Sequence, residues 1–211
     1  MTADLTPQRL EAWLSARSIA RGVPAPVRDR GGWRVDTGSA AELCRYVFLE
    51  ADAAFRAAAD AIDSPRVFLK ACAPAADVLA IVPSRWTVQS VAWMMVQDPH
   101  CDDPVSLPEG YALDLTTQRN VSSAVITDAA GTLAASGYGA MAGGVFCYDR
   151  IVTQPDHRRR GLGRAIMGAL GQRQAPETLR MLAATDAGRA LYETMGWLVV
   201  APYTTIEILR A

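Results

Sequence analysis

The sequence predicts an α/β fold, and three observations carry the prediction. First, strand-type and helix-type segments alternate along all 211 residues. Second, the apolar run Ile151, Val152 and Thr153 leads through a turn rich in arginine and glycine (157–164) into a helical stripe of Leu162, Ile166 and Leu170. Third, the chain is 50% hydrophobic and 20% charged with a net charge of −1, an ordinary globular balance that gives no global field favouring nucleic acid or membrane.

The elements follow in order. Leu10, Trp13, Leu14 and Ile19 fall at near-helical spacing, so residues 7–20 are expected as a helix. Residues 22–32 are a Pro/Gly/Arg connection, and Trp33, Arg34 and Val35 a short strand. Ser39 can cap a helix running to about residue 50, with a second helix through Ile62, broken at Asp63, Ser64 and Pro65. Residues 66–71 are expected as a strand, 75–81 as a helix and 88–96 as a strand. Residues 1–97 thus form an α/β region, with Trp86, Trp93, Met94 and Met95 in its core. Residues 98–108 hold three prolines and three acids in eleven positions, which marks a linker; His100 lies in it and needs no role.

The second region, 109–211, opens with strands at 111–115 and 121–127, a turn at 128–131 that needs Gly131, and strands at 133–141 and 145–153 joined at Gly143 and Gly144. After the stripe at 162–170 come a strand at 179–183 and a helix capped by Thr185 or Asp186. That helix runs through Met195, with Gly196 beyond its end. Residues 197–209 read as a strand broken at Pro202. No internal repeat is evident.

Several function classes drop out. The four cysteines, at 44, 72, 101 and 147, form no Cys-x-x-Cys pair, and there are two histidines, so no metal site is expected and the thiols read as buried and reduced. No stretch approaches the roughly 20 apolar residues of a membrane span. Residues 1–19 carry Asp4 and Glu11 and no apolar core of signal-peptide length, so the expectation is a soluble, cytoplasmic protein.

The turn at 157–164 carries the chemistry. A strand, a glycine turn and a helix start aim unpaired N–H groups and a positive dipole end at one spot, which suits a phosphate. Gly161 and Gly163 let an anion approach the backbone. Without those glycines, Arg158, Arg159 and Arg160 would read as a solvated charge run. The turn lacks the Lys-Ser/Thr of a nucleotide P-loop, and it opens a helix too late in the chain for a dinucleotide fingerprint.

The pattern Arg158-x-x-Gly161-x-Gly163, followed by Ala190, Leu191, Tyr192, Glu193, Thr194, Met195, Gly196 and Trp197, resembles the GNAT superfamily of acetyl-CoA-dependent N-acetyltransferases over residues 110–200. The resemblance implies a mixed, mostly antiparallel twisted sheet flanked by helices. It implies acetyl-CoA as co-substrate and an amine as acceptor, in a monomer or homodimer with no nucleic-acid partner. In such enzymes the backbone at Ile151, Val152 and Thr153 bonds the pantetheine arm. Arg158, Arg159, Arg160, Gly161, Leu162, Gly163 and Arg164 would wrap the pyrophosphate, mostly by backbone N–H groups. Thr185 sits where the family often has an asparagine facing the cofactor, and Tyr192 where it often has a general acid. The family usually places two helices between its first two core strands; here only 116–120 intervene, so the helices expected at 39–62 are candidates to shape the acceptor site.

The base is open. Period-two alternation puts Cys147, Asp149, Ile151 and Thr153 on one strand face. Some family members carry a glutamate where Cys147 aligns, and Asp149 is the nearest carboxylate. Asp149 could serve as base or pair with Arg150 or another arginine, and water could relay the proton instead. Three functions stay in view: an acetyltransferase for a small amine or amino-acid-like metabolite, one for a protein N-terminus or lysine, and a non-catalytic acyl-CoA sensor.

Overall fold

The computed structural model describes residues 4–98 and 105–209. Helix α1 (Pro7–Arg21) starts at Thr6, whose hydroxyl accepts from the Arg9 N–H at 3.2 Å, and ends at Gly22 with φ 64°. Three antiparallel strands follow: β1 (Val27–Asp29), β2 (Gly32–Asp36) and β3 (Cys44–Phe48). Helix α2 (Ala53–Ala61) crosses to β4 (Val67–Ala71), parallel to β3, and helix α3 (Ala75–Ile81) leads to β5 (Trp86–Gln97).

The second half repeats this order. An antiparallel series β6 (Tyr111–Gln118), β7 (Val121–Asp128), β8 (Leu133–Ala142) and β9 (Val145–Thr153) is followed by a 3₁₀ turn, Pro155–His157. Helix α4 (Leu162–Gly171) then crosses to β10 (Leu179–Ala184), parallel to β9, and helix α5 (Asp186–Glu193) leads to β11 (Leu198–Ile208).

The strands make one mixed, mostly antiparallel sheet in the order β1-β2-β3-β4-β11-β5-β10-β9-β8-β7-β6. Leaving β6 aside, the order and the strand directions read the same from both ends. Each half-sheet is an antiparallel series closed by a parallel pair (β3 with β4, β9 with β10), and each half's last strand is exchanged into the other: β11 pairs with β4, and β5 with β10. A duplicated topology is therefore present where the sequence shows no repeat.

The exchange bears on the expected division into 1–97 and 109–211. Strand β5 precedes residues 98–108 yet is hydrogen-bonded on both sides to strands that follow them, so the sheet is continuous across that stretch. Of the expected linker, 99–104, with His100 and Cys101, lie outside the described residues.

Two element expectations need correction. The helix expected over 39–50 is the turn at Ser39, whose hydroxyl accepts from the Glu42 N–H at 2.9 Å, followed by strand β3. Four consecutive β3 residues, Arg45 to Phe48, are buried, and a strand covered on both faces loses the alternation that distinguishes it from a helix. Strand β11 is also unbroken at Pro202, which lies in register opposite Trp93; the register shifts fall elsewhere, between Val199 and Ala201 and between Thr205 and Ile206.

Helices α2 to α5 pack on one face of the sheet. On it, Ile166, Leu170, Phe146, Tyr148 and Trp197 form one cluster and Phe55, Val78, Leu69 and Trp86 another. Helix α1 covers the other face, where Leu10, Trp13 and Leu14 meet Val47, Met94, Cys147 and Met181. Burial of these apolar side chains, at roughly 25 cal/mol per Å², is what fixes α1 to the sheet.

Candidate active site

Strands β9 and β10 pair only at Val145 to Cys147 and Leu179 to Met181. Beyond that they diverge and open a cavity of about 430 Å³. Among the described residues, the β9 backbone from Asp149 to Thr153 therefore has no strand partner on its β10 side, while its other edge stays bonded to β8.

A β-bulge reshapes this edge. Ser136 pairs with Val152 and Tyr138 with Asp149, leaving an extra β9 residue at Arg150, whose φ is +52°. The single face expected for Cys147, Asp149, Ile151 and Thr153 is corrected accordingly. Cys147 packs under α1 and Asp149 is bound to α1 arginines, whereas Ile151 and Thr153 turn toward α4. Gly137 makes room for this: a Cβ there would lie 2.5 Å from Ile151 Cδ1 and 2.6 Å from Ile166 Cγ2.

The glycine turn has the expected form. Arg159 (φ 63°) and Gly161 (φ 79°) adopt left-handed backbone, and α4 has no side-chain cap, so its first-turn amides point out unpaired. Arg158 and Gly163 line the cavity. The Leu162 side chain is buried in the core, so only its N–H serves the turn. Arg160 donates to Tyr111 Oη at 2.9 Å and Arg164 to Thr194 Oγ1 at 3.0 Å, which leaves the backbone as the main anion-facing surface. His157 is also committed: its Nδ1 is 2.9 Å from Tyr111 Oη and its Nε2 is 3.9 Å from Asp128, so strands β6 and β7 buttress the turn.

On the opposite wall, Thr185 caps α5 by accepting from the Gly188 N–H at 3.2 Å, and Trp93 of β5 donates to Asp186 at 2.6 Å. These contacts fix the helix that carries Tyr192. The Tyr192 ring packs against Trp197, with centroids 6.0 Å apart, and against Gly188, where a Cβ would lie 3.2 Å from the ring. Burial pushes the Tyr192 hydroxyl up to about 12, so it stays protonated through neutral pH.

The third wall is α1, which the sequence reading did not bring to the site. Asp149, 6% exposed, accepts from Arg17 Nε (3.2 Å), from Arg21 Nε and Nη2 (2.7 and 2.8 Å), and from Arg150 Nε (3.1 Å). Burial alone would raise its carboxyl. The hydrogen bonds from Arg21 and the charges of Arg17 and Arg21 outweigh that and hold it below the ordinary carboxylate range. The proton-acceptor role expected of Asp149 does not fit this geometry: its oxygens are occupied and its basicity is reduced. The helices expected at 39–62 do not reach the cavity lining either; Arg17 and Arg21 of α1 stand there instead. Their signal was in the sequence, since Leu10, Leu14, Arg17 and Arg21 continue one helical stripe from apolar into basic residues.

Residues 121–198 match the family model described as the acetyltransferase (GNAT) domain. Among solved structures, the chain is similar to a GCN5-related N-acetyltransferase from Kribbella flavida, with 18% identity, TM-score 0.64, and 100% and 98% of the two chains covered. It is also similar to a GCN5-related N-acetyltransferase-like protein from Streptococcus suis 89/1591 (14% identity, 83% of each chain, TM-score 0.56). A third likeness is to a tandem GNAT protein from the clavulanic acid biosynthesis pathway (16% identity, 75% and 70% covered, TM-score 0.52). No curated protein matches in sequence. Residues 121–198 thus carry the match to the acetyltransferase (GNAT) domain model, and the chain as a whole shares its fold with GCN5-related N-acetyltransferases.

Proposed function

We propose that the protein moves the acetyl group of acetyl-CoA to a primary amine of a small, amino-acid-like acceptor by direct attack, without a covalent enzyme intermediate. One observation carries this reading. A single cavity collects Arg158 and Gly163 from the anion-binding turn, the β9 edge at Ile151, Val152 and Thr153, and Thr185 and Tyr192 of the opposite wall. Acetyl-CoA supplies the activated thioester. The amides of the α4 N-terminus and Arg158 hold the pyrophosphate. The unpaired β9 edge bonds the pantetheine amides as an added strand would.

Tyr192 stands by the departing sulfur. With the hydroxyl at about 12 and an ordinary thiol at roughly 8.5, it acts chiefly as a hydrogen-bond donor that stabilises the thiolate. Among the described residues Asp149 is the one carboxylate of the lining, and it is held by arginines, so the amine proton leaves to water. The N-terminal half serves the acceptor side through α1. The test is acetyl-CoA consumption with a panel of primary amines, with products identified by mass. Acetylated amine supports the reading. Binding of acetyl-CoA with no acetylated product from any amine makes the protein an acyl-CoA sensor instead.

A further inference from the structure

The pantetheine arm and thioester of acetyl-CoA are uncharged, yet the cavity wall beyond the β9 bulge is strongly positive. Among the described residues, four arginines line the cavity against one acid, Asp149. Arg158 belongs to the pyrophosphate end, and the other three, Arg17, Arg21 and Arg150, share the single carboxylate of Asp149. Asp149 thus fixes three guanidinium groups while neutralising one. Arg17 Nη1 is buried with no hydrogen-bond partner, and so is Tyr203 Oη, whose ring packs edge-on against Trp13 of α1. Behind α1, Arg45 of β3, 8% exposed, borders a small void with Arg17 and Arg21 and adds a cation paired to Glu42. With Arg45 neutralised by Glu42, the excess sits on Arg17, Arg21 and Arg150, whose side chains are 17, 29 and 42% exposed, so this partly buried positive wall is open to an anion that would complete it.

We infer that the acceptor amine carries a carboxylate, and that Arg17, Arg21 and Arg150 form the subsite that receives it, with Asp149 holding their guanidinium groups in place. The inference rests on the acetyl-transfer reading above and names the substrate class of that site. Guanidinium forks suit a carboxylate in a bidentate arrangement. The same field also answers the absence of a protein base. Positive charge nearby disfavours an ammonium, so the bound amine sheds its proton more readily, while its carboxylate offsets the repulsion. A polyamine or a lysine side chain brings a positive charge with no such offset and is repelled.

The test sets glycine, alanine, phenylalanine, β-alanine and γ-aminobutyrate each against its own primary carboxamide, with spermidine alongside, at saturating acetyl-CoA. At least one acid should be acetylated with kcat/KM about tenfold or more above its amide. Arg17→Met should bring that ratio toward one by raising KM for the acid, with KM for acetyl-CoA little changed. Because Arg17 is tied into a buried cluster, Arg150→Met, at a more exposed position, provides the same comparison should Arg17→Met fail to fold. Amides or spermidine matching the acids, no acid acetylated, or a ratio that survives both substitutions overturns the carboxylate subsite. Thermal protection by acetyl-CoA, measured in parallel, separates that result from failure of the transferase reading: protection with no preference for acids removes only the subsite, and no protection with no turnover removes both.

Discussion

At Tyr192, burial and chemistry act in the same direction. The ring is 7% exposed between Trp197 and Gly188, and the same burial that positions it keeps its hydroxyl protonated. Tyr192→Phe retains the packing and removes only the donor, so kcat should fall by about 10²-fold while KM for acetyl-CoA stays nearly constant. Steady-state kinetics check this, and an unchanged kcat removes the donor role. This residue, Thr185 and the turn at 157–164 were legible in the sequence because each belongs to a local pattern within one strand-turn-helix or helix-cap segment. The helical stripe that carries Arg17 and Arg21 was legible, but its place at the site was not, because their partner Asp149 is 132 and 128 residues away and short-range spacing cannot supply such a pairing. The same holds for the bulge at Arg150, which reverses the alternation of β9 without any glycine to mark it.

At the scale of elements, α1 supplies the third wall of the cavity through Arg17 and Arg21. Its apolar stripe seats it on the sheet, and its last turn is tied to β9 through Asp149 and through the bond from Arg150 to the Ala20 carbonyl. Asp149→Asn leaves three partly buried guanidinium groups without their carboxylate and should cost about 2 kcal/mol at neutral pH. The sign of the pH dependence follows from the depressed carboxyl of Asp149. Its contribution is complete above about pH 4, the unfolded value, and is lost as pH falls through the lower folded value. Denaturant melts from pH 7 to pH 2 should therefore show wild type and Asp149→Asn converging in acid; a constant gap contradicts the assignment. Helix α3 was readable to the residue and β3 was read as a helix, and burial accounts for both. Val78 is the one buried residue of α3, so the segment keeps its pattern, whereas four consecutive buried residues in β3 erase it.

For the whole molecule, the exchange of β5 and β11 binds the halves into one sheet. Neither half completes its own sheet: without β5, strands β10 and β11 lose a shared neighbour, and without β11, strand β4 loses one. Calorimetry should therefore show one cooperative unfolding transition, with calorimetric and van't Hoff enthalpies in agreement. Two resolved transitions would contradict the exchange. The overall fold class was readable because alternation of element types survives in the residue pattern. The exchange was not, since strand order depends on which distant edges meet. Burial also shapes the charge economy of the molecule. Lys70, bonded to Thr205 at 2.8 Å, is pushed down to about 7, first by burial and then by the nearby Arg17 and Arg45.

On the function proposed above, acetyl-CoA occupies the cleft between β9 and β10 with its pyrophosphate on the α4 turn. That placement is tested most directly by the thermal midpoint of wild type and Gly163→Glu with and without acetyl-CoA, with ATP as the control anion. A Cβ at Gly163 would lie 3.1 Å from Leu191 and 3.7 Å from Thr153 Oγ1, so a glutamate there meets the cleft wall and sets its charge against the pyrophosphate. At 100 times its dissociation constant, a ligand of the native state adds about 2.7 kcal/mol, or about 5–10 °C for a chain of this size. Wild type should show that rise with acetyl-CoA and a much smaller one with ATP, and Gly163→Glu should show little or none. No rise in wild type at saturating acetyl-CoA, or an equal rise in the variant, would contradict that placement.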